Sequence, residues 1–311
     1  MSYPIDKKLV IAISSSALFD LSDSHQVFLE KGMDDYRRHQ EQHLDTPFGQ
    51  GVAFPFIRRF LKINEAFPEK QPVEVVLLSR NSPETGLRIF RSIEHYQLNI
   101  SRAAFMGGNS PHSYLEAFNA SLFLSANEGD VHNAIRDGLP AGVVLPSTAE
   151  DDPNDYELRV AFDFDGVIAD DEAESIYKQS GDLNQFMAHE REKQHIPHNP
   201  GPLAKLFRRL AALQELERQK LIDNPDYQKI IRVAIVTARN APAHERVITT
   251  LKDWGVFLDE AFFLGGMQKA RVLQVLKPHL FLDDQLHHLD TAAGATPMVH
   301  VPFGIANQLK S

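Results

Sequence analysis

Two stretches of this chain repeat each other without gaps at a shift of 158 residues, and no other feature limits its possible folds as sharply. Ala103-Ala-Phe-Met-Gly-Gly108 aligns with Ala261-Phe-Phe-Leu-Gly-Gly266, and Leu122-Phe-Leu-Ser-Ala126 aligns with Leu280-Phe-Leu-Asp-Asp284. Eight of the 25 positions from 103 to 127 are identical to their counterparts. The flanks agree. Leu9-Val-Ile-Ala-Ile13 parallels Leu158-Arg-Val-Ala-Phe162, Val75 to Arg80 parallels Val233 to Arg239 with a one-residue slip, and Val143-Val-Leu-Pro146 parallels Val299-His-Val-Pro302. Each block is a short apolar run ending in Ser, Asp, Thr or Gly, the pattern of a buried parallel strand that opens into a loop. Helical stretches such as Glu84 to His95 and Ala243 to Trp254 lie between the blocks. The alternation predicts an α/β protein of two related Rossmann-like halves with parallel sheets.

With 311 residues the chain is long enough for two ordinary domains. The polar, acidic linker Ser147-Thr-Ala-Glu-Asp-Asp-Pro-Asn-Asp-Tyr156 places the change near residue 150, giving units 1–150 and 151–311. In each copy a long segment, 21–70 or 171–230, separates the first two strands, and Leu203 to Leu221 carries apolar residues at helical spacing. The segment 171–230 is therefore expected to form a helical cap inserted in the C-terminal half.

Charge and cysteine content narrow the functions. Lys and Arg number 32 against 42 Asp and Glu, leaving −10 without any basic tract, so a nucleic acid polymer is not an expected partner. The absence of cysteine excludes disulfides, thiolate metal sites and thiol nucleophiles, and is compatible with a reducing cytoplasm. No apolar run approaches the ~18 residues of a membrane span, so no membrane association is expected. Lys7-Lys8 followed by Leu9 to Phe19 has the outline of a secretory leader, but three serines interrupt it and its match to 158–162 makes it the first strand of copy one.

The chemistry-bearing residues are concentrated in copy two. Asp163 and Asp165 stand two apart at the C-terminal end of a strand, so both project to one side while Phe164 turns back to the core. Ligands bind at that edge of an open α/β sheet. Two close carboxylates repel unless a cation lies between them or one is protonated. Thr237 follows a second strand and offers a hydroxyl to a phosphate oxygen, with Ala238 beside it. Lys269 follows Gly265-Gly266 and precedes an apolar helix, where an ammonium and helix N–H groups suit an anion. Asp283-Asp284 ends a further strand with hard oxygen ligands of the kind Mg²⁺ prefers.

Asp163-Phe-Asp165-Gly-Val, Thr237, Lys269 and Asp283-Asp284 resemble, in order, the four motifs of the haloacid dehalogenase-like phosphatases. Longer blocks are similar to the cytosolic type I 5′-nucleotidases: Asp171-Glu-Ala-Glu174, Gly201-Pro-Leu203, Val236-Thr-Ala-Arg239, Asp259-Glu-Ala-Phe-Phe-Leu264, Pro278 to Gln285 and His300 to Ile305, with Gly107-Gly-Asn-Ser-Pro111 in copy one. The resemblance covers nearly the whole chain. It implies a Mg²⁺-dependent phosphatase of nucleoside 5′-monophosphates that works through an aspartyl-phosphate. In that reading Asp163 is the nucleophile, Asp165 the general acid and base, and Thr237, Ala238 and Lys269 hold the phosphate. The metal would be held by Asp163, the backbone carbonyl of Asp165, and Asp283 or Asp284. Phe186 and His189, in the cap, are candidates for contacting the base, with Tyr177 and His195 behind them.

Across the repeat, Asp163 becomes Ser14, Asp165 becomes Ser16, Thr237 becomes Ser79, Lys269 becomes Pro111, and Asp283-Asp284 becomes Ser125-Ala126. Copy one is therefore expected to be catalytically silent. A regulatory nucleotide on copy one and assembly with identical chains stay open as further associations. A phosphatase of another small ester, such as a sugar phosphate, and a nucleotide-binding regulator without turnover are the competing readings.

Overall fold

The computed structural model describes residues 3–290 and 296–307, and the chain divides into two compact units at Leu139/Pro140. The strands, in chain order, are β1 (Leu9–Ile13), β2 (Phe19–Asp20), β3 (Gly49–Gln50), β4 (Val73–Ser79), β5 (Arg102–Phe105), β6 (Ala120–Ser125), β7 (Ala141–Val144), β8 (Leu158–Phe162), β9 (Ile231–Thr237), β10 (Glu260–Phe263), β11 (Leu280–Asp283) and β12 (Met298–His300).

In the first unit the strand order is β6-β1-β4-β5, with every neighbouring pair parallel. Every residue of β1, β4 and β6 is buried, as expected of parallel strands covered on both faces. In the second unit the order is β10-β9-β8-β11-β12-β7; the first five are parallel and β7 runs antiparallel to β12. The core there is Ala161, Ala234, Val236 and Phe281 from the sheet against Leu273 and Leu276 of the helix Ala270–Leu276. Leu9–Ile13, the start of the apolar stretch with the outline of a leader, forms the wholly buried β1.

The boundary lies about ten residues before position 150, where the linker places it in the sequence. The reason is β7: its pairing of Val143 with His300 and Val144 with Val299 joins it to the second unit, although its sequence parallels β12.

The cap is also smaller than the segment 171–230. Helix Ala204–Asp223 buries Leu206, Phe207, Leu210 and Leu213, packs on β9, and sets Phe207 edge-on to Phe162 of β8 with ring centroids 5.5 Å apart. That apolar stripe makes it the crossover helix of the sheet. Only the pair Glu172–Ser180 and Leu183–Glu192, which pack on each other, stands outside the βαβ frame. Nor is such a pair confined to the C-terminal half: Ser22–Lys31 and Met33–Gln42 occupy the same place in the first unit, followed by the crossover helix Phe54–Ala66.

The duplication extends to individual backbone bonds. Gly51 N–H donates to Leu18 O at 2.9 Å, and Gly201 N–H donates to Ile168 O at 2.8 Å. At both sites the chain passes too close to its own backbone for a side chain: a Cβ on Gly51 would lie 2.7 Å from Ala17 O, and one on Gly201 would lie 2.2 Å from Ala169 O. Gly201→Ala should therefore lower the stability of the second unit by about 2 kcal/mol, the usual scale of an overpacked site, read as a shifted midpoint in urea unfolding.

Candidate active site

Four parallel strands of the second unit end at the site. β8 leads into Asp163, β9 ends in Thr237, the turn after β10 carries Gly265-Gly266 on the way to Lys269, and β11 ends in Asp283. Asp163, Thr237, Lys269, Asp283 and Asp284 are all buried, although four of the five are ionisable. The sequence-predicted catalytic, phosphate-binding and metal-ligating residues thus lie at neighbouring strand ends. Ala238 is exposed beside Thr237.

One ammonium organises the buried charges. Lys269 Nζ lies 2.7 Å from Asp163 Oδ2 and 2.8 Å from Asp283 Oδ2. Burial works against the charge of Lys269, but Asp163 and Asp283 hold it above its ordinary value. Burial likewise works to raise Asp283; Lys269 and His288, whose Nδ1 is 3.1 Å away, outweigh it and bring Asp283 down to about 2. The backbone N–H of Gln285 also donates to Asp283 Oδ1 at 2.8 Å. Burial raises Asp163 to about 7, with Asp283 and Asp165 repelling its charge against the pull of Lys269.

Asp284 differs from its neighbour. Both its carboxylate oxygens are buried with no hydrogen-bond partner among the described residues. Burial, followed by repulsion from Glu174, Asp163 and Asp283, pushes it up to about 10. Gly166 passes directly over it, and a Cβ there would sit 2.6 Å from Asp284 Oδ2; with φ at +70°, this position requires glycine twice over. A buried carboxylate without a proton donor is what a cation would satisfy. The residues therefore fit a divalent cation, and single ligand atoms of Asp163, Asp283 and His288 also lie within 4.8 Å of one another.

The side chain of Asp165 points into a different set of contacts. Arg239 Nε donates to Asp165 Oδ2 at 2.7 Å and its Nη2 donates to Oδ1 at 2.6 Å. Arg239 also donates to Glu190 of the cap and, at 3.2 Å, to His198 Nε2. Glu190 accepts at 2.8 Å from Arg246, which donates in turn to Glu172 at 2.9 Å. Arg239, Glu190 and His198, which meet around Asp165, and Arg246, which joins Glu190 to Glu172, form a network that motif spacing did not reveal. For Arg239 a signal was present: it stands two residues beyond Thr237, just past the end of the same strand. Glu190 and His198 lie in the insertion, where no period marks a residue that faces inward.

The two base-contact candidates part company. The Phe186 ring centroid is 5.5 Å from Arg239 Cζ, beside the Asp165 clamp. His189 instead has Nε2 3.4 Å from Glu172, a carboxylate already engaged by Lys193 and Arg246. Tyr177 is exposed, and His195 contacts its neighbour Gln194 at 3.2 Å.

A Rossmann-like second unit with buried carboxylates, a lysine and a threonine at adjacent strand ends defines an α/β protein built around a cation-compatible acidic site. The sequence profile of the 5′-nucleotidase family matches residues 1–308, and the chain belongs to that family. It is 32% identical over 290 residues to human cytosolic 5′-nucleotidase 1B, which covers 91% of this chain and 47% of that protein. The chain thus spans about half the length of the curated relative it matches. No solved structure matches it. No helix among the described residues is long and apolar enough to cross a membrane.

Glu190 offers a test of the cap network. Burial works to raise it, but His198 and Arg239 outweigh that and lower it from 4.5 to about 2. A depressed carboxylate contributes its full stability above the unfolded value and loses it as the pH falls toward the folded one. That contribution is on the order of 3 kcal/mol at neutral pH. The stability gap between wild type and Glu190→Gln should be widest at pH 6–7 and close between about pH 5 and about pH 2, as measured by urea unfolding across that range.

Proposed function

We propose that this chain is a 5′-nucleotidase, hydrolysing nucleoside 5′-monophosphates to nucleoside and phosphate in its second unit. The observation that carries the chemistry is Lys269 bridging Asp163 and Asp283 next to Asp284, whose carboxyl oxygens have no hydrogen-bond partner among the described residues. The nucleotide substrate rests on membership of the family.

Asp163 is the nucleophile. Its carboxylate oxygen forms a bond to phosphorus as the P–O5′ bond breaks, giving an aspartyl-phosphate and free nucleoside. Asp165, carrying a proton on a lone pair that Arg239 does not occupy, gives it to the departing 5′-oxygen, then takes one from the water that attacks the aspartyl-phosphate, releasing phosphate and restoring Asp163. The Thr237 hydroxyl, the Ala238 N–H and the Lys269 ammonium hold the non-bridging oxygens. Lys269 can serve phosphate and nucleophile together because its ammonium already lies against Asp163.

Mg²⁺ would be held by Asp163, the backbone carbonyl of Asp165, Asp283 and Asp284; of the last two, Asp284 has both oxygens uncommitted whereas Asp283 already serves Lys269, His288 and Gln285. When bound, the ion offsets the negative charge of a phosphate brought against carboxylates. Phe186, beside Arg239, is the better placed of the two candidates for stacking on the base. The first unit has none of the charged groups, having serines at the positions of Asp163, Asp165 and Asp283, and plays no part in the hydrolysis. A cytoplasmic site of action follows the relative named as cytosolic and the absence of cysteine.

Phosphate release from a panel of nucleoside monophosphates and sugar phosphates, with and without Mg²⁺, tests the reading. Mg²⁺-dependent release strongest on 5′-nucleotides is expected, and Asp163→Asn should reduce it by at least about 10³-fold while leaving the thermal midpoint near that of wild type. Release confined to sugar phosphates would remove the nucleotide assignment, and release from no substrate would leave a nucleotide-binding regulator in its place. For the metal, Mg²⁺ should raise the thermal midpoint of wild type but not of Asp284→Asn, and without Mg²⁺ the variant should melt higher because an unpaired buried carboxyl is gone. Equal Mg²⁺ shifts in both proteins would exclude Asp284 as a ligand.

A further inference from the structure

The duplicated first unit is an internal control for which parts of the second unit hold the fold and which serve the reaction. Arg88 and Arg246 are equivalent residues, 158 apart. Arg88 Nε donates to Thr46 O at 2.9 Å, and Arg246 Nε donates to Ile196 O at 2.9 Å. Four residues on, Ser92 and Thr250 each donate a hydroxyl to the carbonyl of that arginine, at 2.9 and 2.8 Å. The same hydroxyls accept the backbone N–H of Phe48 and of His198, both at 3.0 Å. This arrangement is present in both units, so it belongs to the fold.

The residues around Asp165 behave oppositely. Gly265 N–H donates to Arg239 O as Gly107 N–H does to Asn81 O, Arg246 donates to Glu190 as Arg88 does to Gln40, and His198 N–H donates to Thr250 as Phe48 N–H does to Ser92. By structure, then, Arg239, Glu190 and His198 correspond to Asn81, Gln40 and Phe48, so their charged and imidazole groups are absent from the unit in which Asp163 and Asp165 are serines. A set needed to hold the cap in place would have been retained with Arg88 and Arg246. We propose that Arg239 is the positioning residue of Asp165, and that Glu190 and His198 extend its grip into the cap.

The geometry fixes the guanidinium before it fixes the carboxylate. A guanidinium has five N–H donors. In Arg239 the Nε and one Nη2 proton go to Asp165, the second Nη2 proton goes to His198, and Nη1 serves Glu190 and, at 3.3 Å, the carbonyl of Ala243. Phe164 and Phe186 lie on it with ring centroids 5.3 and 5.5 Å from Cζ. With every donor engaged, the fork has no freedom to follow a substrate phosphate, and a two-point contact stops rotation of the Asp165 carboxylate. Because Glu190 sits on the helix Leu183–Glu192, displacement of that helix would loosen the clamp on the general acid.

The inference rests on the phosphatase reading, and a comparison of leaving groups tests it. A nucleoside leaves as an alkoxide and needs the proton of Asp165; p-nitrophenolate leaves without one. In single-turnover experiments with the full chain and Mg²⁺, Arg239→Lys, which keeps the charge but not the fork, should slow nucleoside release on the order of 100-fold. Release of p-nitrophenol from p-nitrophenyl phosphate should slow less than about fivefold, and KM for the nucleotide should move less than about threefold. Glu190→Gln should show the same leaving-group dependence to a smaller degree. If Arg239→Lys does not fold, as judged by circular dichroism, the double variant Arg239→Met/Glu190→Gln removes the fork and its buried countercharge together and is held to the same comparison. Equal slowing of both leaving groups overturns the proposal, as does a raised KM with unchanged nucleoside release, which would make Arg239 a phosphate ligand. If wild type releases neither product, it is the phosphatase reading that fails.

Discussion

The contact on which the site depends is the Lys269 ammonium lodged between Asp163 and Asp283. Ionisable groups in a buried strand-end pocket would be costly to charge singly, and they are tolerable because the ammonium lies within hydrogen-bonding distance of both Asp163 and Asp283. The bridge also divides the carboxylates by role. Asp283 is committed to Lys269, His288 and a backbone N–H, Asp163 stands at about 7, and Asp284 has no hydrogen-bond partner for either oxygen among the described residues. With one lysine among three buried carboxyl groups, two of them pushed upward, the centre holds protons that a divalent cation would displace.

The two units show how little of such a centre is specified by the backbone. Leu264, Gly265 and Gly266 donate to the carbonyls of Thr237, Arg239 and Ala238; Met106, Gly107 and Gly108 donate to those of Ser79, Asn81 and Arg80. The glycines in both turns have positive φ. Gln285 N–H caps the Asp283 carboxylate at 2.8 Å, and Asn127 N–H caps the Ser125 hydroxyl at 3.1 Å. The strand ends, turns and donors are thus reproduced in the first unit, while the ionisable groups are replaced by Ser14, Ser16, Ser125, Ala126 and Pro111. The first unit holds its hydroxyls by mutual hydrogen bonds, Ser14 with Ser16 at 3.1 Å and Ser15 with Ser79 at 3.0 Å, and needs neither lysine nor cation.

What could be read from the sequence was what repeats or alternates. The strands were legible because buried parallel strands are continuous apolar runs, and the strand-end residues because chemistry in open α/β sheets gathers there. The extent of the cap was not, since Ala204–Asp223 has the helical period that an insertion would have, and only its burial against β8 and β9 reveals it as a crossover. The boundary at residue 140 was hidden for a similar reason: the pattern of β7 says that it is a strand, not which strand it will pair with. Arg239, Glu190 and His198 were missed because they come from three separate segments and meet only in the folded chain.

Those three residues also explain why the insertion carries so many buried charges. Glu190 is shared by Arg239 and Arg246, and Glu172 by Arg246 and Lys193, so each link in the chain from Asp165 to the cap is a carboxylate held by two cations or a cation held by two carboxylates. Apolar packing of the same volume would hold the cap helices at least as firmly, since buried ion pairs seldom add net stability over hydrophobic isosteres. What apolar packing cannot do is transmit direction: a guanidinium fork fixes the angle of the carboxylate it grips, and a leucine does not. In the first unit, where Ser16 has no angle to be fixed, Gln40 and Asn81 suffice, and Arg88 accepts Gln40 and Ser24 as partners in place of two glutamates. The charged links are therefore found where a reacting carboxylate has to be aimed.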